Sequence, residues 1–243
     1  MTSRGKVLII IIVVIGSLAL AGVFKRNTPP APEPVVVEPV TPVITVAIDP
    51  GHGGRDPGGV VGDVLEKTVN LEISNRLAEL IDAQPGLKAV LTRTTDVTVE
   101  NELRLQLAEE ANAVLYLSLH INSFDDPSVH GAETLVDDTR AADDPSWKLA
   151  EFVQNALITA TGARDRGVRS QSLYLQHTKL PAVSAEVGFL TSTEERAKLL
   201  DPAYQDKIAQ GLLQGILDYL HAVGELEEQA CNLVVWRSSP FAA

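Results

Sequence analysis

The sequence predicts an α/β fold, with a mainly parallel twisted sheet, helices on both faces and a single folded domain. Three observations lead there. Short β-branched or apolar runs of strand length alternate with longer segments whose apolar residues recur at steps of three and four. Gly- and Pro-containing turns punctuate the boundaries. One run, Val114–Leu119 (VLYLSL), is apolar almost throughout, as a strand covered on both faces of a parallel sheet should be.

In chain order, Ile44–Asp49 (ITVAID) reads as a strand stopped by Pro50-Gly51. Thr68–Asp82 reads as a helix, with Val69, Ile73, Leu77 and Leu80–Ile81 on one side. Ala89–Thr92 is a second strand, Glu100–Glu110 a helix, and Val114–Leu119 the central strand. Ala132–Val136 follows as a strand, and Pro145 opens a helix to about Thr161. Leu173–Leu175 and Ala182–Ala185 read as strands, and Thr193–Leu200 and Tyr204–Val223 as helices. This alternation implies βαβ units.

The chain has 243 residues, room for one domain plus appendages. Hydrophobic residues at 45% and charged residues at 21% argue against wholesale disorder. With 20 Lys+Arg against 32 Asp+Glu the formal charge is −12, which makes nucleic acid an unexpected partner. Cys231 is the single cysteine, so a disulfide framework and a Cys-based zinc cage are excluded. A metal site must therefore be built from His, Asp and Glu.

The appendages differ in composition. Residues 1–26 hold Arg4, Lys6, Lys25 and Arg26 and no acid. Val7–Phe24 is apolar except for Gly16, Ser17 and Gly22, long enough to span a bilayer core of about 30 Å. It reads as a membrane anchor or a signal peptide, the latter with Ala19-Leu20-Ala21 as cleavage site. Either reading places the rest of the chain outside the cytoplasm, on the periplasmic or envelope side, with anchoring to the inner membrane preferred. Residues 27–43 hold Pro29, Pro30, Pro32, Pro34, Pro39 and Pro42, an extended linker with a reach of about 50 Å. The folded domain is expected over 44–224 and a C-terminal tail over 225–243.

Sites in open α/β sheets form beyond the carboxyl ends of strands. Three such ends here carry candidate chemistry. Ile44–Asp49 runs into Pro50-Gly51-His52-Gly53-Gly54, the central strand into His120, and Ala182–Ala185 into Glu186. Glu66 precedes the first long helix, near enough to bend back toward His52. A lone His after a strand is ordinarily a loop residue, and a Glu at a helix start a dipole partner. A carboxylate ending a buried strand is costly unless paired. As a set, two His and one carboxylate can hold a catalytic zinc, and a further carboxylate can shuttle protons.

At these residues the sequence resembles the zinc-dependent N-acetylmuramoyl-L-alanine amidases of bacterial autolysis and cell separation. The matching segments are Ile48–Gly54 with Asp56-Pro57-Gly58, then Glu66-Lys67, Thr92-Arg93 with Asp96, and Arg104 with Ala111-Asn112. They continue through Ser118–Asn122, Gly131-Ala132-Glu133, Pro181–Val183 and Glu186–Leu190. The resemblance implies that His52, Glu66 and His120 hold Zn²⁺ and that Glu186 is the catalytic carboxylate. It implies a peptidoglycan substrate, cut between the lactyl group of N-acetylmuramic acid and L-alanine by zinc-activated water. Arg93, Asp96 and Arg104 are expected in structural salt bridges, and His130, His177 and His221 at the surface or in loops.

Two other readings stand beside this one: a zinc peptidase acting on another peptidoglycan amide, and an inactive wall-binding or regulatory module. Retention of all three ligands and the carboxylate argues against the second. Some relatives carry an extra helix between the second ligand His and the catalytic Glu that plugs the site. Here the loops Asn122–His130 and Asp137–Asp144 lack the length and apolar periodicity for one, so no obligatory activator is expected.

Overall fold

The structure, a computed structural model, describes residues 43–226. The apolar segment Val7–Phe24, the Pro-rich linker up to residue 42 and the tail from residue 227 lie outside the described residues. Among the described residues no helix is long and apolar enough to cross a membrane.

The strands are β1 (Ile44–Pro50), β2 (Val60–Val61), β3 (Val64–Leu65), β4 (Leu87–Leu91), β5 (Ala113–Asn122), β6 (Ala132–Asp137), β7 (Asp165–Gln171) and β8 (Ala182–Phe189). The helices are α1 (Glu66–Asp82), α2 (Asn101–Glu110), α3 (Pro145–Thr161), α4 (Thr193–Leu199) and α5 (Pro202–Ala222). Six strands form one sheet in the order β4-β1-β5-β8-β6-β7, and β2 and β3 form a small hairpin. All pairs in the large sheet are parallel except β6 with β8. The expected mainly parallel architecture is therefore present.

Period-two alternation sorts the side chains between the two faces. Val46, Ile48, Leu115, Leu117, Leu119, Val183 and Ala185 pack into the larger core with α1, α3 and α5. Ala47, Tyr116 and Ala182 face the other way, onto Leu105 and Ala108 of α2 and Leu175. That second face is thinly covered, and the polar residues of the same alternation, Asp49, Ser118, Ser184 and Glu186, line an open cleft there.

Local chemistry sets the helix ends. Asp144 caps α3 by accepting from Ser146 N, and Gly162 closes it at φ 66°. Asp201 caps α5 in the same way, with Pro202 in its first turn. Gly211 and Gly215 let α5 approach α3 closely: a Cβ at Gly215 would lie 2.6 Å from Val153 Cα and 2.9 Å from Phe152 O. Both contacts are backbone and cannot rotate away. Gly215→Ala is expected to destabilise the domain by about 1–3 kcal/mol despite its better helix propensity. Urea unfolding of the variant checks this, and an unchanged midpoint would refute it.

Three element expectations need correction. Leu173–Leu175 is not a strand; Tyr174–His177 is a 3-10 turn. The edge strand in that region is β7, whose exposed, charged sequence DRGVRSQ has no apolar signal because one edge pairs and the rest faces solvent. The Ala182 strand does not end at Glu186 but continues to Phe189, so Glu186 sits within β8. The Asp137–Asp144 segment is less solvated than its charge suggests. Asp137 is fully buried and accepts from Leu173 N at 2.7 Å.

Candidate metal centre and active site

His52 lies in the Pro-Gly-His-Gly-Gly turn after β1 with φ 63°, a left-handed conformation uncommon outside glycine. The turn aims its ring at Glu66, the first residue of α1. Glu66 Oε1 lies 3.1 Å from His52 Nε2 and 3.1 Å from His120 Nδ1, and the donor atoms of all three residues fall within 4.8 Å of one another. Glu66 is buried and held from behind: Gly59 N donates to Oε2 at 2.7 Å, and Ile121 N and Asn70 Nδ2 donate to Oε1 at 3.0 and 3.2 Å. His52 Nδ1 meets Asp56 Oδ2 at 2.7 Å, which orients the ring and leaves Nε2 for the centre. Two imidazole nitrogens and one carboxylate oxygen, convergent and oriented by outer carboxylate and amide groups, are a donor set that fits zinc.

Two buried arginines brace the His52 turn. Arg104 donates to Pro50 O at 3.0 Å and His52 O at 2.7 Å, and pairs with the buried Asp49 at 2.6 Å. Arg93 donates to Pro50 O at 2.8 Å and Gly51 O at 2.9 Å, and its Nη2 also reaches Lys67 O at 2.8 Å, tying the turn to the start of α1. The expected salt bridges thus hold for Arg104 with Asp49 and for Asp96, which pairs with Lys67 at 2.7 Å. Arg93 departs from the expectation: it serves backbone carbonyls of a tight turn that no strand or helix satisfies. Asp49 also accepts from Ser118 at 2.7 Å and Tyr174 at 2.8 Å, beneath the cleft.

Glu186 stands opposite His120 in the β5–β8 register. It lines a cleft of about 640 Å³ together with His52, His120, Asp56, Arg104, Gln171 and Tyr174. The turn after β1, the start of α1 and the strands β5 and β8 thus bring His52, Glu66, His120 and Glu186 together, on the face of the sheet as well as at its end.

The chain matches the family described as N-acetylmuramoyl-L-alanine amidase over residues 46–218. The chain belongs to this family. Among curated relatives, the amidase LytC of Bacillus subtilis (strain 168) is 38% identical over 196 residues, which cover 79% of this chain and 39% of LytC. The chain thus spans well under half of that relative's length. Among solved structures, an N-acetylmuramoyl-L-alanine amidase from Clostridium difficile 630 superposes with TM-score 0.71 at 35% identity, covering 74% of this chain and 98% of that one. The CwlD amidase from Clostridioides difficile, solved in complex with the GerS lipoprotein, gives TM-score 0.67 at 30% identity, covering 74% of this chain and 99% of that one.

The electrostatics of this amidase domain follow from the packing of its four polar groups. Burial alone would raise the Glu66 carboxyl, but hydrogen bonds to His120 and His52 and their charges hold it far below the usual range. Burial works against a proton on His52, yet Glu66 and then Asp56 raise that ring to about 9. His120 is raised too, against its burial, by Glu66 and the Glu186 charge. A proton on His52 is therefore favoured in the metal-free domain and must be displaced by a metal, and the raised His120 adds to that competition in the same direction. Apparent metal affinity is expected to rise with pH across the neutral range, about tenfold per pH unit for each proton displaced. Calorimetry in two buffers of different ionisation enthalpy reads this release directly; no proton release at neutral pH would refute it.

His130, His177 and His221 are exposed, as expected. The sequence reading gave no role to Asp56, Asp49 or Glu133. Ser118 had a visible signal, since Tyr116, Ser118 and His120 alternate with leucines and so share a face.

Proposed function

We propose that the chain is a peptidoglycan amidase that hydrolyses the bond between the lactyl group of N-acetylmuramic acid and L-alanine of the stem peptide. The observation that carries this is the convergence of the His52–Glu66–His120 donor set with Glu186 in an open cleft of this family's fold. His52, Glu66 and His120 would hold Zn²⁺, and Glu186 would be the catalytic carboxylate. The chemistry supplied by bound zinc is Lewis acidity, which makes water a nucleophile near neutral pH and polarises a carbonyl. Glu186 takes a proton from the attacking water and returns it to the departing amine of L-alanine. Glu66 stays ionised, and Asp56 holds the His52 ring with Nε2 toward the centre. Arg93 and Arg104 keep the turn that carries His52 in place.

The activity calls for export, because the substrate lies outside the cytoplasmic membrane. Val7–Phe24 would serve as the anchor or export signal, and the Pro-rich linker as a stalk. Between β5 and β8 the chain holds β6, α3, β7 and the 3-10 turn, with no further helix to fill the cleft. We therefore expect activity without a partner. A fragment beginning at residue 44, added alone to purified sacculi, should release intact stem peptides and leave the glycan strands whole. Cleavage within the stem would favour the peptidase reading, and release only with an added protein would show an activator requirement.

A further inference from the structure

A row of charged side chains crosses the sheet on the site face. His120 on β5 is opposite Glu186 on β8, and Glu186 is opposite Glu133 on β6. Directly opposed residues share a face of a pleated sheet, so Glu133 lies beside Glu186. Glu133 is buried, and its Oε2 lies 2.9 Å from Arg166 Nε and 3.2 Å from Arg169 Nε. Asn122 Nδ2 donates to its other oxygen at 2.8 Å. The row thus continues onto β7.

Two guanidiniums share one carboxylate oxygen, leaving a local surplus of positive charge. Arg166 Nε donates to the carboxylate, whereas Arg169 Nε lies within ion-pair distance of it but donates to Arg166 O at 3.3 Å; among the described residues neither donates a hydrogen bond from Nη. The Arg166 guanidinium is 4.9 Å over the Phe189 ring, which fixes its plane. The Arg169 side chain is 53% exposed. A guanidinium whose Nη groups are free in this way can match a carboxylate bidentately.

The cleft reaches β7 beside this cluster, although Glu133, Arg166 and Arg169 do not themselves line it. Its lining runs from His52 and His120 past Ser184 and Glu186 to Gln171 on β7. Gln171 is two residues from Arg169 and so on the same face of the strand. The rim on the α2 side is acidic, with Asp56, Glu100 and Glu102. In a chain of net charge −12, the arginine end reverses the local sign. Strands lie about 4.8 Å apart, so β7 is roughly 10 Å from β8. That distance matches two to three residues of extended peptide at about 3.3 Å each.

We propose that Arg169, with Arg166 behind it, forms a subsite for a free carboxylate on the stem-peptide residue that follows L-alanine. The proposal rests on the amidase reading above. It orients the substrate: the peptide runs over β8, β6 and β7, and the glycan lies toward α2. Glu133 acts by holding the two guanidiniums together, not by touching substrate.

The test uses two soluble muramoyl-peptides that differ only at that residue, one with its carboxylate free and one with it converted to the carboxamide. The full chain, loaded with zinc, should show a KM about tenfold lower for the carboxylate form at low salt, as expected for one charge-assisted hydrogen-bonded pair. The preference should shrink as salt is added. Arg169→Gln should bring the two KM values together within about twofold, and Arg169→Lys should restore part of the preference as a point charge. Equal KM values in the wild type, or an undiminished preference in Arg169→Gln, would overturn the subsite. Hydrolysis of neither compound by the wild type would overturn the amidase reading and the subsite with it.

Discussion

Glu186→Gln should lower kcat on muramoyl-peptides by about 10²–10⁴ while metal content stays at the wild-type level. The substitution keeps the size of the side chain and removes its capacity to accept a proton. Glu186 is placed for that role by β8, which sets it opposite His120. Its carboxyl is pushed up to about 7, first by burial; His120 pulls it back, and the Glu66 and Glu133 carboxylates push it further. A carboxyl poised near neutrality takes a proton from water more readily than an ordinary one and releases it again to an amine. The sign of the pH dependence follows. The base must be ionised, so activity should rise with pH through the Glu186 ionisation, which a bound cation beside it moves downward. The variant should lose that limb of the profile. Steady-state kinetics across pH together with metal analysis checks both points. Near wild-type turnover in Glu186→Gln would make the residue structural only.

His120→Ala should release the metal and take activity with it. Three side chains converge on the centre, so this change removes a third of the protein's donors. Removing an outer partner of a metal ligand costs about 10–100-fold in affinity, and a lost ligand should cost more. The fold should survive, because His120 is only half-buried and lies near the end of β5, past Leu115, Leu117 and Leu119 of the core. Competition against a chromophoric chelator measures the affinity, and circular dichroism reports the fold. Stoichiometric zinc with full turnover in the variant would defeat the assignment. Glu66→Gln offers a second probe. It leaves the volume unchanged, but the neutral amide would no longer hold protons on His52 and His120, so both rings should titrate closer to their ordinary range.

Much of this was legible along the chain because it is local. The 3.6-residue spacing of Val69, Ile73 and Leu77 specifies α1, the Asp144-Pro145 pair starts α3, and the apolar run of β5 marks the buried centre of the sheet. The four candidate site residues could be picked out as a set, because His52, His120 and Glu186 follow strands and Glu66 opens a helix nearby, and because their motifs resemble the family's; only for Glu186 did burial cost add a signal. Edge strand β7 gave no such signal: its side chains are largely exposed, and only its hydrogen bonds to β6 define it.

By itself the sequence determined the alternating elements, the turn that bears His52, the chemical character of the donors and the composition of the appendages. Each of these depends on neighbours within a turn or two of the chain. Only the tertiary structure decided that β8 lies between β5 and β6, and therefore that Glu186 faces His120 on one side and Glu133 on the other. Only it decided that Arg93 serves carbonyls instead of a carboxylate, and that Arg166 and Arg169 converge on Glu133. Strand order and register bring together residues far apart in sequence. They are selected by the burial of whole faces, Leu115, Leu117 and Leu119 against α1, α3 and α5, so no local pattern records which polar side chains meet on the opposite face.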